Sequence, residues 1–396
     1  MQNQIQTRLY YLDAVRAFAL ILGLVFHASL SFMPIYIGWA VMDINTSEAI
    51  PPFVLISHSF RMALFFLIAG YFSRMAFKKK GLQVFLKSRA IKIAIPLLIG
   101  WFLLRPLLVS GWVIGAESMR GEANILNGLK TGFASLLDLP AHFLIGTHLW
   151  FLYYLLLITL TVVFISKLFE QRTQSKYYLT KIIDSSVDFV SKSSWSPLFL
   201  AIPTIGALWF MQNWGIDTPD KSLVPVLPVF ILYGACFTFG WYLQRNPTYV
   251  ENLSTLSAQK ILLSLGGIVS AILLSKYEMN VSHAHFTMLK SAFLFAYAIM
   301  LWGLITLIFG IFKVFFSEPN KIVKYFADAS YWLYLIHLPL VIYLQIFFAE
   351  IQLHWLVKLV SILSLTLGIS LLMYQLFVKR TFIGRIISAN DSPQRK

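Results

Sequence analysis

Charge is scarce in this sequence. Asp, Glu, Lys and Arg make up 12% of its 396 residues, about half the share of a soluble domain. With 58% hydrophobic and 16% aromatic residues, a water-soluble globule is excluded and a polytopic membrane protein remains. Cysteine is nearly absent too. The one thiol, Cys236, sits in an apolar run, which excludes an intrachain disulfide and a thiolate metal cluster. Acids are few, 17 against 32 Lys and Arg, giving a net charge of +15. In a membrane chain such an excess marks cytoplasmic loops, so no nucleic-acid partner is expected. There is no HExxH, no P-loop, no GxGxxG after a strand and no nucleophile-elbow serine, so the commonest zinc, nucleotide and serine-hydrolase signatures are missing. No metal site is expected.

What is present is a succession of apolar runs, each of about the 20 residues a helix needs to cross a bilayer. They fall at 9–33, 53–76, 91–113, 144–168, 197–213, 225–244, 259–276, 286–315, 329–349 and 353–379. The expectation is an all-α, polytopic integral membrane protein with about ten transmembrane helices. Residues 1–390 read as a single membrane domain and 391–396 as a short polar tail. The first run is too long and too charged for a cleaved signal peptide. Basic residues crowd alternate connections: Lys78, Lys79, Lys80, Lys87 and Arg89 after the second span, Lys167, Arg172, Lys176 and Lys181 after the fourth, Lys379 and Arg380 at the end. The opposite connection "GWAVMDINTSEAI" has none. The positive-inside rule then places both termini in the cytoplasm.

Ionisable residues inside the spans are costly and therefore candidates for function. In the first span Arg16 and His27 are eleven residues apart. That spacing is three turns plus about 20°, so they share a face, roughly 16 Å apart. Asp13 can pair with Arg16 across one turn. His58 and Arg61 share a face at the start of the second span. Arg105 lies in the third, His148 with Trp150 opens the fourth in "THLWFL", and His337 sits in the ninth. His27, His58, Arg61, Arg105 and His148 are expected to converge in the outer half, above Arg16, with Arg74 and the lysines at the cytoplasmic mouth. The pattern outlines a cavity that receives an anion from the cytoplasm. Each residue also has a plainer use: Asp13–Arg16 as a structural pair, His58 as a cap, Arg105 snorkelling outward, His148 in an aromatic belt, His337 as an interhelical hydrogen bonder. With no acid or thiol cluster around them, the histidines point to general-base chemistry such as acyl transfer to a hydroxyl.

The pair R-x10-H in the first span, "FFLIAGYF" in the second and "SYWLYLIHLP" in the ninth resemble the membrane acyltransferase-3 family. "YLDAVRAF", "HSFRMALFFLIAGYFS" and "HLWFL" resemble its branch linked to succinylation of osmoregulated periplasmic glucans in Gram-negative bacteria. The resemblance implies an acyl-CoA donor (succinyl-CoA or acetyl-CoA) from the cytoplasm and a periplasmic glucan or other glycan as acceptor. It also implies that no cofactor is permanently bound. By position, Arg16 and His27 match the family's arginine–histidine pair and Arg61 the branch's second-span arginine. These are the expected catalytic residues, with His27 as base. Asp13, His58, Arg105, His148, Trp150 and His337 are expected to contact substrate, and Arg16 and Arg74 the CoA. One departure is Ala69, where the family often has serine. Membrane lipid and glucan-synthesis machinery are the further partners expected. The rival readings are acetyl transfer to another surface polysaccharide or lipid sugar, a secondary transporter for an organic anion or sugar, and a sensor or scaffold.

Overall fold

The structure is a computed structural model. It describes residues 9–119, 121, 123–137, 147–170, 173–220, 222–381 and 384; the tail at 391–396 and the start of the run at 144–168 lie outside them. The described residues contain helices and no strand.

In chain order the helices are α1 (Tyr10–Ser29), α2 (Ile50–Lys80), α3 (Leu82–Arg89), α4 (Ile95–Ser118), α5 (Ile125–Ala134), α6 (Trp150–Glu170), α7 (Thr173–Lys192), α8 (Ser196–Trp209), α9 (Leu227–Leu243), α10 (Pro247–Leu253), α11 (Ala258–Ser275), α12 (Phe286–Phe315), α13 (Lys321–Phe348) and α14 (Trp355–Met373). Eight stretches among the described residues are long and apolar enough to cross a membrane. They coincide with eight of the ten runs. The other two differ for reasons of length. α8 has 14 residues, about 21 Å at 1.5 Å per residue, against a hydrocarbon core of about 30 Å. α9 has 17 residues and meets α10 at a bend of 119°. Asn246, the residue before Pro247, is held extended (φ −137, ψ 124) and its side chain caps the new helix at Thr248 N. A residue before proline avoids the helical region, which fixes the break there.

Local sequence explains the other boundaries that shape the interior. α2 starts on Pro51 and Pro52, whose missing N–H groups cost nothing in a first turn. It ends at Gly81, whose φ of 72° is open to glycine. In its middle, Gly70 lies against α9: a Cβ there would run into the Phe237 carbonyl, and one on Gly240 into the Leu67 carbonyl. The two glycines let the helices cross backbone to backbone, as small residues do in membranes. α3 passes into α4 through a widened turn at Ala90–Ala94. Large side chains on the outer helices, such as Leu262 and Leu372, remain exposed, as suits a surface that meets lipid.

The connection from 33 to 49 is strapped down. Asp43 N donates to Ser31 O at 2.8 Å and Ile44 N to Ala349 O at 3.2 Å. Lys358 Nζ on α14 bonds Asp43 Oδ1 at 2.6 Å, with both side chains buried. Burial pushes the Asp43 carboxyl up from its ordinary value, against the pull of Lys358.

Candidate active site

A cavity of about 1340 Å³ runs through the bundle, lined by parts of α1, α2, α6 and α13 and by the turn between α3 and α4. Along α2 its lining extends from His58 to Lys80, which at 1.5 Å per residue is about 33 Å. One end is basic, with Lys78, Lys79, Lys80, Arg89, Lys92 and Arg245. The other gathers His27, His58, Arg61, His148 and His337. Asp13 is the one carboxylate among the lining residues described.

Arg16 and His27 both face this cavity, as their spacing on α1 requires. Arg16 sits between the two ends. It lies 3.6 Å from Asp13 Oδ1, donates to Ala327 O at 3.1 Å and lies over the Phe72 ring. The pair on α1 is thus tied to α13, while still lining the cavity.

Three of the four histidines form a contiguous group, and His58 stacks on Phe26 beside them. The His27 ring lies 5.4 Å from that of His337, which lies 5.0 Å from that of His148. Three of the four rings are held by backbone carbonyls. His58 Nε2 bonds Ile216 O at 2.9 Å, His148 Nε2 bonds Leu335 O at 3.1 Å, and His337 Nδ1 bonds Tyr334 O at 2.7 Å and Leu333 O at 3.2 Å. A carbonyl only accepts, so each of those nitrogens carries the proton and a neutral ring keeps its lone pair on the other. His58 Nδ1 and His148 Nδ1 are buried without a hydrogen-bond partner among the described residues, and so is His27 Nδ1. His27 is oriented by packing instead: its ring stacks on Trp39 at 5.6 Å and meets Phe26 edge-on.

Arg61, 5% exposed, lies 4.1 Å over the Phe26 ring, and its buried Nη1 has no hydrogen-bond partner among the described residues. A guanidinium buried over a ring face can bind an anionic partner. Trp150 also lines the cavity and stacks on Tyr233.

Two expected residues are placed elsewhere. Arg105 is buried on α4, where its Nε donates to Ser135 O at 3.1 Å and its guanidinium lies over Trp101. It does not join the cavity lining described. Helix α5 packs so closely on that turn of α4 (a Cβ on Gly132 would strike the Pro106 carbonyl) that Arg105 serves that contact. Arg74 lies over Trp241 and is likewise absent from the lining. The lysines that follow it on α2 take the mouth.

Other residues emerge only in three dimensions. Gln345, 1% exposed on α13, donates from Nε2 to His27 O at 3.0 Å and Ala28 O at 3.1 Å. Its Oε1 accepts from Trp39 Nε1 at 2.9 Å. One amide thus holds both the end of α1 and the ring that stacks on His27. Tyr334 donates to His148 O at 2.7 Å. An uncharged amide in an apolar run was the available signal for Gln345; Trp39 carried none beyond its place in a short loop.

A family model described as an acyltransferase domain matches residues 9–375. Among curated proteins, the chain is similar to Glucans biosynthesis protein C from Escherichia coli O81 (strain ED1a) and from Escherichia coli K12. Each is 26% identical, over 98% of this chain and 96% of the relative. No solved structure matches.

Proposed function

The chain belongs to the acyltransferase family matched over residues 9–375, and from that premise we propose that it carries an acyl group, succinyl in the first instance, from acyl-CoA to a hydroxyl of a glucan on the far side of the membrane. The observation that carries this reading is that one continuous cavity joins a basic mouth to the histidine end. The CoA phosphates sit among Lys78, Lys79, Lys80, Arg89 and Lys92, on the cytoplasmic side of the inner membrane. The pantetheine arm passes Arg16 and brings the thioester to His27. The similarity to proteins named for glucan biosynthesis supports a glycan acceptor.

The chemistry follows from the groups at that end. As the acceptor oxygen attacks the thioester carbonyl carbon, His27 takes the hydroxyl proton. The C–S bond breaks, CoA leaves as thiolate, and the proton returns to it as thiol. A positioned base contributes typically 10²–10⁴-fold. Packing against Trp39 fixes the ring of His27 while its Nδ1 has no hydrogen-bond partner among the described residues. Arg61, whose Nη1 has no hydrogen-bond partner among the described residues, takes the terminal carboxylate of the succinyl group.

Mass spectrometry of periplasmic glucans tests the reading in a host lacking its own glucan acyltransferase. Wild type is expected to add succinyl groups, and His27→Ala, present in the membrane at equal amount, to add none. An acetyl increment would change the donor. An increment that survives His27→Ala would remove the mechanism, and no increment with wild type would remove the glucan acceptor.

A further inference from the structure

We propose that His337 is the second proton carrier of the site, receiving at Nε2 a proton from His27 as His27 takes one from the acceptor, and that Pro339 fixes His148 as a further acceptor beside it. This rests on the acyl-transfer reading. It assigns to His337 a chemical step rather than contact with substrate.

The argument starts from α13. His337 lies in "LIHLPL". Its Nδ1 is directed at two carbonyls of its own helix, Tyr334 O and Leu333 O. With Nδ1 protonated, the neutral ring has its lone pair on Nε2. When Nε2 also takes a proton, those two carbonyls stabilise the resulting imidazolium through charge-assisted bonds. His337 is therefore built to accept, and its ring is in contact with that of His27.

Proline supplies the next part. Pro339 has no N–H, so Leu335 O, four residues back, loses its helical donor. That carbonyl accepts from His148 Nε2 on the segment entering α6. His148 consequently keeps its lone pair on Nδ1, which is buried, has no hydrogen-bond partner among the described residues, and belongs to a ring in contact with His337. In the neutral state both rings are acceptors toward the site, and a proton on one disfavours a second on the other by like-charge repulsion.

The step balances without any further reactant. The acceptor O–H bond breaks as the ester C–O bond forms. The proton enters one nitrogen of His27, and the proton on its other nitrogen passes to His337 Nε2 as the two rings, 5.4 Å apart between centroids, close to hydrogen-bond distance. When the C–S bond has broken, the proton returns by the same route to the CoA thiolate. The relay moves positive charge off His27 while the ester forms, which a lone His27 does not do.

The test uses the purified full chain in proteoliposomes with succinyl-CoA, acetyl-CoA and glucan, following CoA thiol release and glucan-bound acyl groups. His337→Ala and His337→Gln are expected to lower kcat by about a hundredfold or more, with KM for the acyl-CoA changed less than about threefold. Added imidazole is expected to restore His337→Ala and to leave wild type unchanged. Pro339→Ala, which returns a donor to Leu335 O, is expected to lower kcat by roughly tenfold with KM unchanged. A kcat within threefold of wild type for His337→Gln overturns the relay, as does a loss carried by KM or one that imidazole does not restore. If His337→Ala does not reach the membrane, His337→Gln and Pro339→Ala decide by the same kcat criterion. No thiol release by wild type with either donor would overturn acyl transfer itself; wild-type activity with unaffected variants overturns the relay alone.

Discussion

Replacing Gln345 with leucine would test whether the site depends on one buried amide. The side chain makes three hydrogen bonds, to His27 O, Ala28 O and Trp39 Nε1. Two of these serve carbonyls at a helix end and one serves an indole N–H. Buried interhelical hydrogen bonds in membranes average about 0.6 kcal/mol, and those in soluble proteins about 1 kcal/mol. Three together give roughly 2–3 kcal/mol, and leucine fills most of the volume, so little of this loss is a cavity. The catalytic effect is expected to exceed what the stability loss alone would give. Trp39 loses its anchor, the stack that orients His27 loosens, and a displacement on the order of 1 Å costs on the order of 10²-fold in rate. Thermal unfolding in detergent and acyl-CoA turnover would be measured for Gln345→Leu, Trp39→Phe and the double variant. The expected result is a lower unfolding temperature for each single variant and a double variant less impaired than the sum, with coupling of about 1 kcal/mol. Full turnover in Gln345→Leu, or strict additivity, would refute the idea that the amide acts through Trp39.

Three other outcomes are expected. Arg61→Gln should lower kcat/KM for succinyl-CoA roughly ten- to a hundredfold, the value of a charge-assisted hydrogen bond of about 1.5–3 kcal/mol, and change acetyl-CoA little; equal losses for both donors would show that Arg61 does not read the carboxylate. Lys358→Met should destabilise the protein by about 3–5 kcal/mol by stranding Asp43, and Lys358→Met with Asp43→Leu should recover much of that in thermal unfolding; a double variant as weak as the single one would contradict the pairing. Gly70→Ala should cost about 1–3 kcal/mol through overpacking against the Phe237 carbonyl, whereas Gly234→Ala on α9, where a Cβ meets nothing within 4 Å, should be tolerated; similar unfolding temperatures for the two would argue against the close helix crossing.

Features governed by one helix at a time were legible in the sequence. The 3.6-residue period was enough to put Arg16 and His27 on one side of α1 and His58 with Arg61 on one side of α2. The eight long helices follow from the length of their apolar runs. Features that depend on which helix packs against which were not. Arg105 has the same signature as Arg61, a basic residue within an apolar run, yet α5 folds back onto α4 and takes it out of the cavity. Gln345 and Trp39 are 306 residues apart in the chain, and no local pattern joins them. The bend between α9 and α10 was written locally, in Asn246–Pro247, but a hydropathy run passes over a change of direction that only backbone dihedrals record.

The length of the cavity has an electrical consequence. A group that travels from Lys80 to His58 moves about 33 Å along α2, comparable to the whole hydrocarbon thickness. A membrane potential performs work on any charge making that journey, about 2.3 kcal/mol per unit charge for each 100 mV. An acetyl group carries no charge and its transfer is electrically silent. A succinyl group carries a carboxylate, and if the basic mouth faces inside, the usual inside-negative potential drives that carboxylate outward. The energised membrane would then favour the dicarboxylic donor over the neutral one, and each succinyl group delivered would register as a unit of outward negative current.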